Sequence, residues 1–244
     1  MGLLIWIIGA VLVAVLLAYV VVKYLPLKLR WIASLLLLLL SIFLVFKIYN
    51  GVMGPIEFNK DKKVKFAKVI NSLKIIRDAQ LAHYEVNGTY AKDKNALIQF
   101  IDTAQFAVTE TKNVVETINT GGGITKEVEK KVTDTIGYKP VVKDFDGKDY
   151  KNMFKVPGVA GKEFDLTVGM VEKVAGLKVP TFEAKTDKAS ILKGMDPSLV
   201  KQELEAIVAD EIKGEFVSVG SLEEVSTGGN WPPSYDKASA KKDE

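Results

Sequence analysis

LLIWIIGAVLVAVLLAYVVV, residues 3–22, and WIASLLLLLLSIFLVF, residues 31–46, decide the fold, because uncharged apolar runs of this length belong in a bilayer. At about 1.5 Å rise per residue the first run is ~30 Å long as a helix, the thickness of a bilayer core. The second run is shorter, and Lys47 and Tyr49 extend it into the headgroup layer. No acidic residue occurs in residues 1–49. Only Lys23 to Arg30 joins the runs, with Pro26 inside, so residues 1–49 predict a two-helix transmembrane hairpin with both ends on one side. A cleaved signal peptide would need a charged leader, a shorter core and small residues before the cut. Here the leader is Met1-Gly2 and the flank is Lys23-Tyr24-Leu25-Pro26, so the anchor is expected to be retained. Trp6 stands where a myristoylation signal needs Ser or Thr. Lys23, Lys28 and Arg30 hold the short loop in the cytoplasm by the positive-inside rule and send the rest outward. Lys47, Lys60, Lys62, Lys63 and Lys65 pull the other way, but long domains translocate largely regardless of charge. The expected location is a two-pass inner-membrane protein with its soluble domain in the periplasm.

The net charge of +3 belongs to the membrane block. Without Lys23, Lys28, Arg30 and Lys47, 29 basic residues face 30 acidic ones. That balance argues against a nucleic-acid partner. Cysteine is absent, and the chain has one His and two Arg, so thiolate metal sites and imidazole catalysis are poorly supplied. No cofactor or metal is expected.

Gly51, Gly54 and Pro55 predict a bent stalk over 50–59. A soluble α+β domain is expected over 60–225, with a mobile tail over 226–244. From Lys60 to Val86 the pattern is helical: Phe66, Val69, Ile70, Leu73, Ile76 and Tyr84 share one stripe, with Lys62, Lys63, Lys68 and Lys74 mainly outside it. Asn87-Gly88 supplies the helix stop. Asp93 caps a second helix over 94–101. Residues 103–120 fit neither period well, 121–123 are a glycine break, and 125–134 read as a short charged helix. Strands follow at 136–145, interrupted by Pro140, then 164–170, 177–185 and 216–222. Asp196-Pro197 opens a helix whose apolar face is Leu199, Val200, Leu204, Ile207 and Val208. The tail beyond Ser226 is rich in Gly, Pro, Ser and Lys, with Trp231 as its one anchor.

Arg77 and Gln80 fall inside the apolar stripe, where a guanidinium needs carboxylate or carbonyl partners. They are expected to hold a structural or a partner contact. His83 borders the stripe alone and reads as packing. Gly121-Gly122-Gly123 lacks the spacing of a phosphate loop, and Asp144 to Asp149 lacks the sixth-position Gly and twelfth-position Glu of a calcium loop. There is no Gly-x-Ser-x-Gly elbow, so a non-enzymatic protein is expected.

LKIIRDAQLAHYEVNGTYAKDKNALIQFI, residues 73–101, resembles the first soluble part of type IV pilins and pseudopilins. The matching residues are Arg77, Ala79, Gln80, Tyr84, Asn87, Gly88 and Tyr90, followed by the helix containing Leu97. Residues 55–231 also resemble a family of membrane-anchored envelope proteins of Bacteroidota to which no reaction is assigned. The motifs are Thr133 to Ile136, Val179 to Ala184, Val219 to Glu224 and Gly229 to Trp231. The resemblances imply a pilin-like extracytoplasmic domain, one long helix packed on a small antiparallel sheet. The chain departs from pilins in its hairpin and its lack of a processing site. The expected role is a structural or assembly component of a secretion, pilus-like or motility-type complex. It would contact the bilayer and other envelope proteins, a second copy included, through Arg77, Gln80, Tyr84, Asn87, Gly88, Tyr90, Asn230 and Trp231. The alternative is a membrane-tethered sensor or ligand-binding module.

Overall fold

The computed structural model describes residues 12–13, 15–16, 18–20, 23, 26–119, 125–173, 176–205 and 211–236. The chain divides into two compact units, Met1–Asn59 and Lys60–Glu244. In the first, the described residues before Lys23 are helical, and most of the first apolar run lies outside the described residues. Helix α1 spans Leu27–Asn87 and includes one segment long and apolar enough to cross a membrane. Leu36, Leu39 and Phe43 are more than half exposed, which water would penalise and lipid would not. This is compatible with a transmembrane anchor; a two-helix hairpin is not shown. The stalk expected over 50–59 is helical instead. Pro55 lies inside α1 and removes one rung of the ladder, and Gly51 and Gly54 lower propensity without ending the helix.

In the second unit, α1 buries Phe66, Val69, Ile70 and Leu73 in its early turns, then Ile75, Ile76, Ala79 and Ala82. The buried face rotates along the helix. It ends as expected, with Gly88 at φ 70° and its N–H donating to Tyr84 O at 2.8 Å. Helix α2, Lys94–Thr103, is capped by Asp93, whose carboxylate accepts from Asn95 and Ala96 N–H, and buries Leu97 and Ile101.

Strands β1, Gln105–Asn119, and β2, Thr125–Pro140, pair antiparallel from Gln105↔Pro140 to Asn119↔Thr125, with a bulge after Val108. The helix expected over 125–134 is therefore a strand. Val128 and Val132 are four apart, a spacing that puts residues on one face at either period, so the sequence pattern could not discriminate. The strand expected to reach Phe145 stops at Pro140. A 3-10 turn, Val141–Phe145, follows and buries both its end residues.

A second sheet has the order β3-β4-β5, all antiparallel: Asp165–Glu172, Lys178–Asp187 and Phe216–Gly220. Phe182 and Ala184 on β4, with Val217 and Val219 on β5, form its buried face. Pro180 is tolerated because β4 meets β5 only from Glu183 onward, so its missing N–H faces no strand there. Helix α3, Lys188–Ile191, follows β4 directly, capped by Asp187. Helix α4, Pro197–Leu204, starts at its Asp196 cap and ends earlier than the periodicity suggested. Ile207 and Val208 lie outside the described residues.

The tail is built into the fold as far as Asp236. Gly229 bridges Val219, Gly220 N–H donates to Gly228 O at 2.9 Å, and Trp231 and Tyr235 are buried. Composition suggested mobility from Ser226. Backbone pairing to the free edge of β5 overrides it.

Candidate functional site

The end of α1 and the turn after it gather most of the residues singled out from the sequence. Gln80 is fully buried, and its amide closes the turn from both ends. Nε2 donates to Ala91 O at 2.8 Å, and Oε1 accepts the Ala91 N–H at 2.8 Å. The Tyr84 and Tyr90 rings stack at 4.9 Å, and Tyr90 lies 4.8 Å from Phe182 on β4. Burial pushes the Tyr90 phenol above its ordinary range, with the neighbouring Tyr84 adding to it. His83 Nδ1 lies 2.6 Å from Thr89 O, so that nitrogen carries the proton. Its ring packs 4.8 Å from Phe100. Together Gln80, Tyr84, Gly88 and Tyr90 fix the turn and tie α1 to β4, while Asn87 is exposed at the last position of α1.

Arg77 is not the buried guanidinium its position suggested. It is half-exposed and holds Asp78 Oδ1 from Nη2 at 3.1 Å. The rotation of the buried face toward Ala79 and Ala82 leaves Arg77 on the rim, where its stem can snorkel. With Lys68, Lys74, Lys148 and Lys155 it lines an open groove of about 770 Å³ between α1 and residues 147–157. Its cations are largely satisfied internally. Lys148 also holds Asp78, at 3.1 Å, Lys74 holds Asp236 at 2.7 Å, and Lys155 donates to Asn152 Oδ1 at 2.9 Å.

Asn230 works as a backbone substitute. Its Oδ1 accepts the Ser218 N–H at 3.0 Å and its Nδ2 donates to Phe216 O at 2.8 Å. Trp231 Nε1–H donates to Asp236 Oδ1 at 3.3 Å. Asn230 holds the tail to β5, and Trp231 braces the tail against its own Asp236.

The sequence reading missed a buried ionic cluster. Lys62, placed outside the stripe, is 2% exposed, and Lys188 and Glu203 are 0% and 5% exposed. Lys62 Nζ lies 2.6 Å from Glu203 Oε2 and 2.7 Å from the half-exposed Glu211. Lys188 Nζ lies 3.3 Å from Glu203 Oε1 and donates to the carbonyls of Glu203 and Ile212. Burial alone would lower the Lys62 ammonium, but its two carboxylates outweigh that and raise it. Lys188 shares one carboxylate, so burial prevails and lowers it. Burial also drives the Tyr235 phenol far up, beside the charge of Glu211 and Glu203. A signal existed: Lys62 precedes Phe66 by four residues, which puts both on one helix face. Among the described residues, no group of three or more His, Cys, Asp or Glu could hold a metal ion. The cluster serves as a clamp joining α1, α3 and α4.

The remaining feature is the β1–β2 ribbon. No third strand joins it among the described residues. At its base, Phe106 borders a shallow cleft with Leu81, Ala82 and Phe145. Beyond that base, Val108, Val114, Val115 and Val128 remain 38–54% exposed. Two-stranded ribbons are marginally stable alone in water, and their edges and faces invite pairing. Cross-strand register separates its faces. One carries Thr109, Thr111, Asn113 and Val115 opposite Thr135, Thr133, Lys131 and Glu129, with the Thr111 and Thr133 hydroxyls 3.1 Å apart. The other carries Glu110, Lys112, Val114 and Glu116 opposite Asp134, Val132, Lys130 and Val128. The second face has an apolar zigzag, Val132-Val114-Val128, flanked by charge.

Comparison of the chain with protein-family models, with curated proteins and with solved structures finds no match. What fold and site define is therefore a class: an α+β domain, preceded by an apolar helix of membrane-spanning length, that presents a two-stranded ribbon.

Proposed function

We propose that this chain is a non-enzymatic, membrane-anchored envelope protein whose soluble domain makes protein–protein contacts, with the β1–β2 ribbon as its contact arm. The observation that carries the reading is the exposure of valines along a ribbon that no other strand covers among the described residues. A partner that buried them would supply the stabilisation such a ribbon lacks by itself. The two apolar runs support a two-pass inner-membrane hairpin, and the positive loop between them supports a periplasmic domain. The helix-then-sheet order and the Asn87-Gly88-Thr89-Tyr90 turn support a pilin-like reading of the domain, and with it a role in a secretion, pilus-like or motility-type assembly. The test replaces residues 108–137 by a short turn between Ala107 and Tyr138, which keeps Phe106 in its cleft, then crosslinks intact cells and identifies what co-purifies. Loss of the captured partners with an unchanged melting temperature is expected. An unchanged partner set would refute the role of the ribbon. Labelling of Ser72→Cys by an impermeant maleimide before lysis tests the side of the membrane.

The groove lined by Lys68, Arg77 and Lys148 favours the second reading, a tethered ligand-binding module. Saturable binding of an anionic small molecule, abolished by Lys68→Glu, would support it.

A further inference from the structure

We propose that the apolar face of the β1–β2 ribbon pairs with the same face of a second copy of this chain, the two ribbons running antiparallel about a twofold axis at the Val114–Lys130 rung. This rests on the reading of the ribbon as a contact arm and names its occupant.

The argument is one of charge and shape complementarity. Two ribbons stacked face to face by a twofold axis can run in the same or in opposite directions. In the same direction, each β1 residue faces the β2 residue of its own rung. Lys112 would then meet Val132, Val114 would meet Lys130, Glu116 would meet Val128, and Glu110 would meet Asp134. Every one of those contacts buries a charge on an apolar group or sets two acids together, which is costly. In the opposite direction about the Val114 rung, each strand faces its own copy with the order reversed. Val114 then meets Val114, Val132 meets Val128 twice, and Lys112 meets Glu116 twice. The one adverse contact is Lys130 with Lys130, and each of these has its own Glu116 at 3.8 Å. Lys112 already holds Glu110 at 2.9 Å within its strand, so the partner's Glu116 extends an existing ion pair into a chain of four charges on each side.

The contact is small. About the Val114 rung each β1 overlaps its copy over residues 109–119, so ~37 Å of a ribbon ~10 Å wide, about 370 Å², is covered on each copy. The total of about 740 Å² is that of a weak, reversible contact. The opposite face is rich in threonine and free to remain in water. A ribbon that is marginal alone becomes a four-stranded, two-layer sandwich in which Val114 packs on Val114 beside the Lys130 pair.

The test exploits the absence of cysteine from the chain. Packed sheet faces lie about 10 Å apart, too far for a direct disulfide, so Val114→Cys is treated in native membranes with a short bis-maleimide. A covalent product of twice the chain's mass is expected. Val115→Cys, one residue along on the other face, should give none. Lys112→Glu should reduce the product about fivefold, and adding Glu116→Lys should restore it. Equal crosslinking at 114 and 115, or no restoration, would overturn the pairing. The same Val114→Cys protein, labelled with a benzophenone maleimide and irradiated, separates the two readings. Capture of a different protein overturns self-pairing and leaves the contact arm standing. Capture of nothing overturns both.

Discussion

Glu203→Gln should be among the most damaging single substitutions in the unit Lys60–Glu244. The Glu203 carboxylate is shared by Lys62 at 2.6 Å and Lys188 at 3.3 Å, and all three side chains are at most 4% exposed. With Glu211, the cluster holds two cations and two anions and is neutral. Removing one carboxylate leaves a buried ammonium uncompensated, a loss of about 3–5 kcal/mol. For a domain of this size, each kcal/mol moves the midpoint by about 2–4 °C, so a drop of about 10 °C is expected. The measurement is thermal unfolding of the full chain in detergent, followed by near-ultraviolet circular dichroism. Combining Glu203→Gln with Lys188→Met returns the cluster to neutrality through Lys62 and Glu211, and should recover about half the loss. A drop under about 2 °C for the single variant would mean that water already reaches the pair. A double variant as unstable as the single one would mean that Lys188 is not coupled to Glu203.

Gln80→Ala strands both polar groups of Ala91 and should cost about 1–3 kcal/mol, read as faster hydrogen exchange at the Ala91 amide. At Gly220, φ is 77° and an added Cβ would sit on the Phe182 carbonyl, so Gly220→Ala should separate β5 from β4 and lower the melting temperature well beyond Gly214→Ala, which has open space. The Lys74 ammonium holds the Asp236 carboxyl below its ordinary range. A carboxyl lowered by folding stabilises the fold fully above about pH 4, and that contribution fades as pH falls through the folded value. Asp236→Asn should therefore flatten the acid limb of the melting temperature against pH and leave the neutral region almost parallel to the parent.

Elements with local punctuation were legible in advance. Asp93 and Asp196 marked helix starts by caps that the structure confirms, and Asn87-Gly88 marked a stop by the left-handed turn only Gly enters cheaply. Strand β3 was readable because Phe164, Leu166, Val168 and Met170 alternate, and β4 because a turn at 175–176 returns the chain, despite the irregularity at Pro180. Three features were not readable, two from local ambiguity and one because its partner is distant in sequence. The ribbon hid behind valines four apart. The stalk's Gly and Pro were read as a break, yet one missing rung does not stop a helix whose neighbouring turns stay bonded. The tail's composition said nothing of the β5 edge waiting for Gly228 and Asn230. At the site, Gln80 was identified by its polarity within an apolar stripe. Arg77 was misplaced because the buried face rotates. The Lys62–Glu203 contact spans 141 residues, beyond any local pattern.

Residues 228–236 close the sheet edge, and Asp236 reaches back to Lys74 on α1. Synthesis runs from one end, so the domain cannot finish folding until its final stretch has emerged from the ribosome. Throughout elongation the outer edge of β5 waits unpaired, a backbone edge open to other strands until residues 228–230 reach it. A stop codon even a few positions before Gly228 would leave that edge permanently open.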